Sequence, residues 1–317
     1  MSELITRPLE YYARPGLMTD LGEHTGTLDT RGMSVVLAAI DFGISNTDAV
    51  AYVDGALRRW TQPSAGQPDA EAVQAVLATG GVELVSLRRL AVTGGHHRLL
   101  PDQIGDCAVA KVDEVHAIGR GGQALAGLSE EEDDTPVLVV SAGSGTAVVA
   151  ARGDQHTHVT GSGVGGGTLL GLSRLLLHTV DPHEIDGLAQ RGDPNGADLS
   201  LGDVIGVPLG RLPADATAVN FGRLARQNLA VSREDLAAAL VTLVGQVIAI
   251  TAINAARAQQ IKRIVVIGHL TDMPSVRGVL EQVGDYYGVP ISLPPDAGYA
   301  TALGALLQTL QNQPMGG

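Results

Sequence analysis

Three glycine-rich segments of this sequence have the composition of backbone phosphate sites. Residues 41–47 (DFGISNT) and 143–146 (GSGT) each follow an apolar run of strand length, and residues 163–167 (GVGGG) directly precede a helical pattern. A glycine turn after a strand presents N–H groups without steric bulk, and a helix start favours an anion. A single such turn is more often an ordinary hairpin. The repetition predicts a nucleotide phosphate chain held from two halves of the chain.

The elements that position these turns follow a pattern that occurs twice. Residues 34–41, 48–53 and 57–61 predict a strand meander, followed by a helix over 69–78 and a strand over 90–93. The acidic run 130–134 indicates a solvated surface loop. Beyond it, the expected strands are 137–141, 147–151, 158–160 and 263–267, and the expected helices are 168–178, 232–258 and 299–310. We therefore expect an internally duplicated α/β fold, with an N-terminal extension at 1–33, a first domain at 34–134 and a second at 135–317.

Composition narrows the class of protein. Hydrophobic residues make up 44% of the 317 residues, charged residues 17%, and the formal net charge is −13. An acidic chain without a basic patch is not expected to bind nucleic acid. The lone Cys107 excludes an intrachain disulfide and a multi-cysteine zinc site. We expect a cytoplasmic protein, because no stretch is expected to reach the length of a membrane span, and we interpret His96 and His97 as surface residues that bind no metal.

Several segments resemble the type II pantothenate kinases, within the actin, hexokinase and Hsp70-like ATPase superfamily. The resemblance extends from about residue 35 to about residue 310, and its most particular features are GxGGGTxxGL at 163–172 and the pair Asp113 and Glu114. Further matching segments are KVDEV at 111–115, AGSGT at 142–146, LGDVIG at 201–206, NFG at 220–222 and ALGAL at 302–306. The resemblance implies duplicated actin-like ATPase domains, ribonuclease H-like in fold, with a nucleotide cleft between them.

The resemblance also implies an activity: a kinase that uses ATP and Mg²⁺ to convert pantothenate to 4′-phosphopantothenate, the first step of coenzyme A biosynthesis. Glu114 would be the general base, although from the residues alone it would be a carboxylate at a helix start. Asp41 would hold Mg²⁺ through water. The residues implied to bind ATP are Asp41, Gly43, Ser45, Gly143, Ser144, Gly145, Thr146, Gly165, Gly166, Gly167 and Gly268. Those implied to contact the substrate are Ser144, His158, Gly161 and Ser162.

The family resemblance and one apolar helix together predict two kinds of partner. The family's dimeric habit, and the apolar circumference of residues 232–258, predict a homodimer formed mainly through the second domain. Acyl-CoA is a candidate feedback ligand.

The chain departs from the family pattern at five positions. Ile44 stands for the second glycine of the first turn, Ser45 for threonine, Asp48 for lysine, Ser141 for asparagine, and His158 for the arginine that binds the acceptor carboxylate. Histidine carries its charge only part of the time near neutral pH. Two alternatives therefore stay open, namely a kinase of the same fold for another small hydroxyl compound, and a nucleotide- or acyl-CoA-binding paralogue without turnover.

Overall fold

The computed structural model describes residues 5–8, 36–53, 56–127, 135–226 and 230–311. The acidic run 130–134 and most of the N-terminal segment 1–33 lie outside these ranges. The described chain forms two compact units. The first comprises the residues up to 139, 149–158 and those from 294 onward, and the second comprises 140–148 and 159–293. The domain boundary expected at 134/135 stays a prediction.

The described secondary structure is mixed α/β. The strands are β1 (Ile5–Pro8), β2 (Val36–Phe42), β3 (Asn46–Val53), β4 (Ala56–Pro63), β5 (Leu87–Gly94), β6 (Gln103–Ile104), β7 (Cys107–Lys111), β8 (Val137–Ala142), β9 (Thr146–Arg152), β10 (Gln155–Ser162), β11 (Leu199–Ser200), β12 (Thr217–Val219), β13 (Arg263–Ile267) and β14 (Ile291–Ser292). The α-helices are α1 (Ala70–Thr79), α2 (Glu114–Leu125), α3 (Gly166–Leu176), α4 (Pro182–Ala189), α5 (Leu201–Ile205), α6 (Gly222–Arg226), α7 (Arg233–Gln259), α8 (Pro274–Tyr287) and α9 (Ala300–Gln311).

A seven-stranded sheet lies at the centre of the first unit, in the order β1-β4-β3-β2-β5-β7-β6. Strands β2, β3 and β4 form the predicted antiparallel meander, and β2, β5 and β7 run parallel. β1, inside the predicted N-terminal extension, pairs antiparallel with β4. The parallel strands therefore share one carboxyl edge, which matters for the site described below.

Both faces of this sheet are covered, which explains why its central strand β2 is almost continuously apolar. On one face α1 begins at the N-cap Asp69, and Trp60 packs beneath it and donates its indole N–H to the Val76 carbonyl oxygen at 2.8 Å. On the other face α2 and α9 pack against Val50 and Tyr52. The second face is the one that carries the charged residues near the first glycine turn.

The second sheet has five strands in the order β10-β9-β8-β13-β14, and the second unit adds the short antiparallel pair β11 and β12. Helix α7 begins at Ser232, whose side chain accepts a hydrogen bond from the N–H of Asp235 at 3.0 Å. It packs mainly against α4, α8 and α3.

Helix α7 bears on two expectations, the absence of any segment long enough to span a membrane and the homodimer. By length and composition alone it could cross a membrane, contrary to the expectation that no segment is long enough, but 67% of its most apolar window is buried within the protein. Its own unit therefore accounts for the apolar circumference, and a partner subunit is not needed to cover it.

Candidate active site

The carboxyl ends of three parallel strands bring the first glycine turn and Glu114 to one edge of the first sheet. Strands β2, β5 and β7 lie side by side. β2 leads into the turn that holds Gly43, β5 ends at Gly94, and β7 leads through Asp113 into Glu114. Parallel strands end at the same edge, and open α/β sheets bind ligands outside that edge. This edge is the candidate site of the first unit.

Glycine residues make room for the Asp41 carboxylate there. The Asp41 side chain is half-buried, and a Cβ on Gly94, which has a φ of +84°, would overlap it. A Cβ on Gly43 would lie 2.6 Å from the carbonyl oxygen of Asn46. A larger residue at Gly94 or Gly43 would therefore displace the carboxylate or the turn.

His97 belongs to this edge, so its interpretation as a surface residue was wrong. Its side chain is 5% exposed, and its Nδ1 lies 2.5 Å from the carbonyl oxygen of Gly94. Because a carbonyl only accepts, Nδ1 carries the proton and donates. His96 is exposed, as expected. His97 thus supports the glycine beside Asp41.

Helix α2 begins with two carboxylates that have different surroundings. Asp113 is the N-cap, where it accepts a hydrogen bond from the N–H of Val115 at 3.0 Å and forms an ion pair with Arg98 at 2.9 Å. Glu114 is the first helical residue and is exposed, and among the residues that the structure describes it has no hydrogen-bond or ion-pair partner. The capping role therefore belongs to Asp113. An accessible carboxylate without a partner can accept a proton from a bound hydroxyl.

Asp48 is buried directly opposite Asp41 in the β2–β3 pair, with 6% of its surface exposed. Opposed residues of neighbouring strands share a face of the sheet. Arg59 of β4 lies on that face two residue pairs further from the turn, opposite Val50, is 1% exposed, and forms an ion pair with Asp296 at 2.6 Å. The acidic replacement at position 48 is thus accompanied by a buried guanidinium on the same face.

In the second unit, hydrogen bonds join the second turn to the start of α3. The N–H groups of Gly166 and Gly167 donate to the carbonyl oxygens of Gly143 and Ser144, at 2.8 and 2.9 Å. These two N–H groups of the helix terminus are therefore engaged with the turn. The pairing holds residues 143 and 144 in a fixed position against the helix.

Close backbone approach fixes the rest of the second turn. Gly165 packs so near Gly145 that a Cβ on Gly165 would lie 2.7 Å from the Gly145 carbonyl carbon. Thr146 is buried and donates its hydroxyl to the carbonyl oxygen of Val164 at 2.7 Å. The glycine clusters at 143–146 and 163–167 therefore pack together as one structure.

Gly268 lies against the same turn. It follows β13 with a φ of +104°, and a Cβ there would overlap the backbone of Ala142, the last residue of β8. Its carbonyl oxygen accepts from both the N–H and the hydroxyl of Thr271, at 3.1 and 2.9 Å. A residue with a side chain could neither adopt this backbone without strain nor fit the space.

The predicted substrate residues other than Ser144 lie on β10. His158 and Gly161 are exposed and Ser162 is half-buried. The Ser162 hydroxyl accepts a hydrogen bond from the N–H of Val164 at 3.1 Å. Because side chains alternate along a strand, His158 and Ser162 lie on one face of β10 and Gly161 on the other.

The predicted site residues thus form a group at the edge of the first sheet, a group around the second turn, and the β10 residues. Gly94 and Arg98 were missed, although the glycine pair at the end of a predicted strand was a usable signal. No signal in the sequence indicated Arg98, because its ion pair with Asp113 joins a loop to a helix cap.

The two sheets and the glycine turns define an actin-like ATPase fold. Solved structures agree: component A of (R)-2-hydroxyglutaryl-CoA dehydratase from Acidaminococcus fermentans matches 88% of this chain and 98% of its own, with a TM-score of 0.58 and 20% identity. A ROK hexokinase from Thermus thermophilus matches 88% of this chain and 100% of its own, with a TM-score of 0.50 and 14% identity.

Sequence comparison identifies the family. Residues 91–308 match the Fumble family, and the chain belongs to it. Proteins named type II pantothenate kinase from two strains of Bacillus cereus are 29% identical over 225 residues and 30% identical over 226 residues. Each match covers 70% of this chain and 81% of the relative. The Oceanobacillus iheyensis protein of the same name is 28% identical over 219 residues, 69% of this chain and 81% of the relative. The resemblance inferred from the motifs is confirmed.

Proposed function

We propose that this protein is an ATP-dependent pantothenate kinase that produces 4′-phosphopantothenate for coenzyme A biosynthesis. The relatives named type II pantothenate kinase support this assignment. The observation that carries it is the accessible Glu114, which begins α2 at the same sheet edge as the Asp41 turn. A kinase needs little covalent chemistry from the protein beyond positioning and a carboxylate for the acceptor proton.

Each proposed residue has a distinct task. Glu114 accepts the proton of the acceptor hydroxyl, and Asp113 fixes where the helix that carries it begins. His158 binds the acceptor carboxylate through its imidazole. Backbone N–H groups of residues 143–146 and the first turn face the ATP phosphates. The three glycines at 165–167 contribute mainly by holding that turn, because two of their N–H groups are already paired with it.

Asp41 is the residue we propose for Mg²⁺, through water. The fit rests on the half-buried position of its carboxylate at the end of β2 and on the space that the absent side chain of Gly94 leaves beside it. Bound Mg²⁺ supplies charge neutralisation to the phosphate oxygens.

The main rival is a kinase of the same fold for another small hydroxyl compound. The exposed His158 favours it, because an imidazole cannot bind a carboxylate through the two parallel hydrogen bonds that arginine forms. A paralogue without turnover is favoured by Asp48 and Ile44. Purified protein incubated with radiolabelled ATP and Mg²⁺, first with pantothenate and then with a panel of alcohols and sugars, separates the three. Transfer to pantothenate at a rate at least comparable with the best panel member supports the proposal.

We also propose a cytoplasmic homodimer formed through the second unit, with acyl-CoA as a candidate feedback ligand. The surface that supports the dimer is the segment 204–209, where Val204, Ile205, Val207 and Leu209 are each about half exposed. Large apolar side chains clustered on a surface mark interaction sites. Light scattering that returns a mass near the 32.6 kDa of one chain at micromolar concentration would count against it.

A further inference from the structure

A cluster around the buried His156 joins β10 to α2 within the first unit. His156 of β10 is 8% exposed, and its ring packs edge-to-face on that of His116, with 5.5 Å between the ring centroids. A Cβ on Gly119 would overlap the imidazole of His156. Gln123 completes the cluster, with its Oε1 3.0 Å from Nε2 of His156. One histidine of the strand thus contacts two turns of the helix.

These contacts fix the direction in which strand and helix run past each other. Gln123, late in α2, donates from Nε2 to the carbonyl oxygen of Gly153, before β10, at 3.0 Å. His116, near the helix start, contacts His156, further along the chain. The helix start therefore lies toward the part of the strand that follows His156. Glu114 and His158 are each two residues beyond the contacting pair, in that same direction.

The hydrogen bonds also specify which ring nitrogen of His156 carries the hydrogen. Because the Nε2 of Gln123 donates to a carbonyl, its Oε1 is the acceptor that faces His156, so the Nε2 of His156 carries the hydrogen and Nδ1 does not. The charged or titratable groups around the ring are Arg120 and His116 on α2 and Asp154 before β10. Burial, His116 and Arg120 lower the pKa of His156 to about 4. At neutral pH the ring is uncharged.

We propose that His156 is a positioning residue that couples the acceptor-binding strand to the helix of the general base, through its contacts with His116 and Gly119 and the hydrogen bond from its Nε2 to Gln123. The coupling rests on the proposed function of Glu114 and His158. It holds the side chains of His158 and Glu114 at a fixed separation. These two side chains contact opposite ends of one acceptor, the carboxylate and the hydroxyl. Small displacements of reacting groups can cost roughly 10²-fold in rate.

Kinetics of substituted proteins test the coupling. In His156→Ala we expect kcat/KM for pantothenate to fall roughly 10- to 100-fold, with KM for pantothenate raised and KM for ATP unchanged. His156→Gln, which keeps an N–H donor for Gln123, should recover part of the loss. His183→Gln, an exposed histidine of the second unit, is the matched control. A purely structural role would lower kcat with the folded fraction and leave both KM values unchanged, which would overturn the proposal.

A double substitution and a spectroscopic measurement complete the test. His156→Ala combined with His158→Ala should raise KM for pantothenate no further than His158→Ala alone, whereas multiplying effects would show independent roles. In ¹⁵N NMR of the wild type, His156 should show a protonated Nε2 and stay neutral down to about pH 5. An Nδ1 proton, or titration near pH 6.5, would refute the contact. A wild type that leaves pantothenate unphosphorylated overturns the proposed function and the kinetic role, while the NMR measurement still decides the contact.

Discussion

Replacing Glu114 with glutamine separates the two roles that a carboxylate at this helix start can have. The substitution keeps size and hydrogen-bonding capacity but removes the ability to accept a proton at neutral pH. As a general base, Glu114 should be worth roughly 10²- to 10⁴-fold in turnover. A 10²-fold loss corresponds to about 2.7 kcal/mol of activation free energy.

The structure limits what the same substitution can do to stability. Glu114 is exposed, and Asp113 already caps the helix, so only the interaction with the helix dipole is lost. That interaction is worth about 0.3–1 kcal/mol for a surface carboxylate. For units of this size 1 kcal/mol shifts Tm by about 2–4 °C. We therefore expect a fall in Tm of a few degrees at most.

Steady-state turnover with saturating ATP and pantothenate, together with a thermal melt, decides between the roles. Glu71→Gln is the matched control, because Glu71 is an exposed carboxylate in the first turn of α1, on the other face of the same sheet. It should show the small change in Tm and full turnover. If Glu114→Gln kept most of its turnover, the assignment of the general base would be refuted.

Four further substitutions test other parts of the structure. His158→Arg should lower KM for pantothenate, because a guanidinium can pair with a carboxylate through two N–H groups; an unchanged KM would place the carboxylate elsewhere. Gly165→Ala should cost about 1–3 kcal/mol of stability and raise KM for ATP, since its Cβ would meet the Gly145 backbone. Gly171→Ala, in the helix α3 that Gly165 precedes and with open space around it, should stabilise the protein by about 0.5–1 kcal/mol. The pKa of His156 is lowered to about 4, so the folded protein loses stability as the pH falls from about 6.5 toward 4. The Tm of His156→Gln should therefore fall less over that pH range than the Tm of the wild type does. Equal falls in the two proteins would show that this histidine does not contribute.

Much of the fold could be predicted from local signals in the sequence. The strand meander, the strand over residues 263–267 and the helix capped by Ser232 were predicted close to their observed bounds, because turns, caps and apolar runs are decided by neighbouring residues. β7 was missed, since five residues that alternate buried and exposed give a weak pattern. The packing of α9 on α2 could not be predicted either, because it depends on contacts between distant parts of the chain.

The site shows the same division between local and distant causes. The glycine turns and the pair Asp113 and Glu114 could be found from their types and spacing. Which of the two carboxylates caps the helix required the structure, because an N-cap is defined by backbone geometry. The environment of Asp48 also required it, since the buried Arg59 lies on another strand. Cross-strand register decides such neighbours, and one sequence does not specify register on its own.

Helix α7 shows how far composition can be taken as a guide to partners. An apolar circumference establishes that the helix must be covered, but it does not say whether the cover comes from the same chain or from another. Here α4, α8 and α3 supply it. The homodimer must therefore be tested at the exposed segment 204–209 and not at α7. Val207→Glu with Leu209→Glu should dissociate a dimer formed there while leaving the fold intact, because both side chains are already more than half exposed. An unchanged mass by light scattering would exclude this surface as the interface.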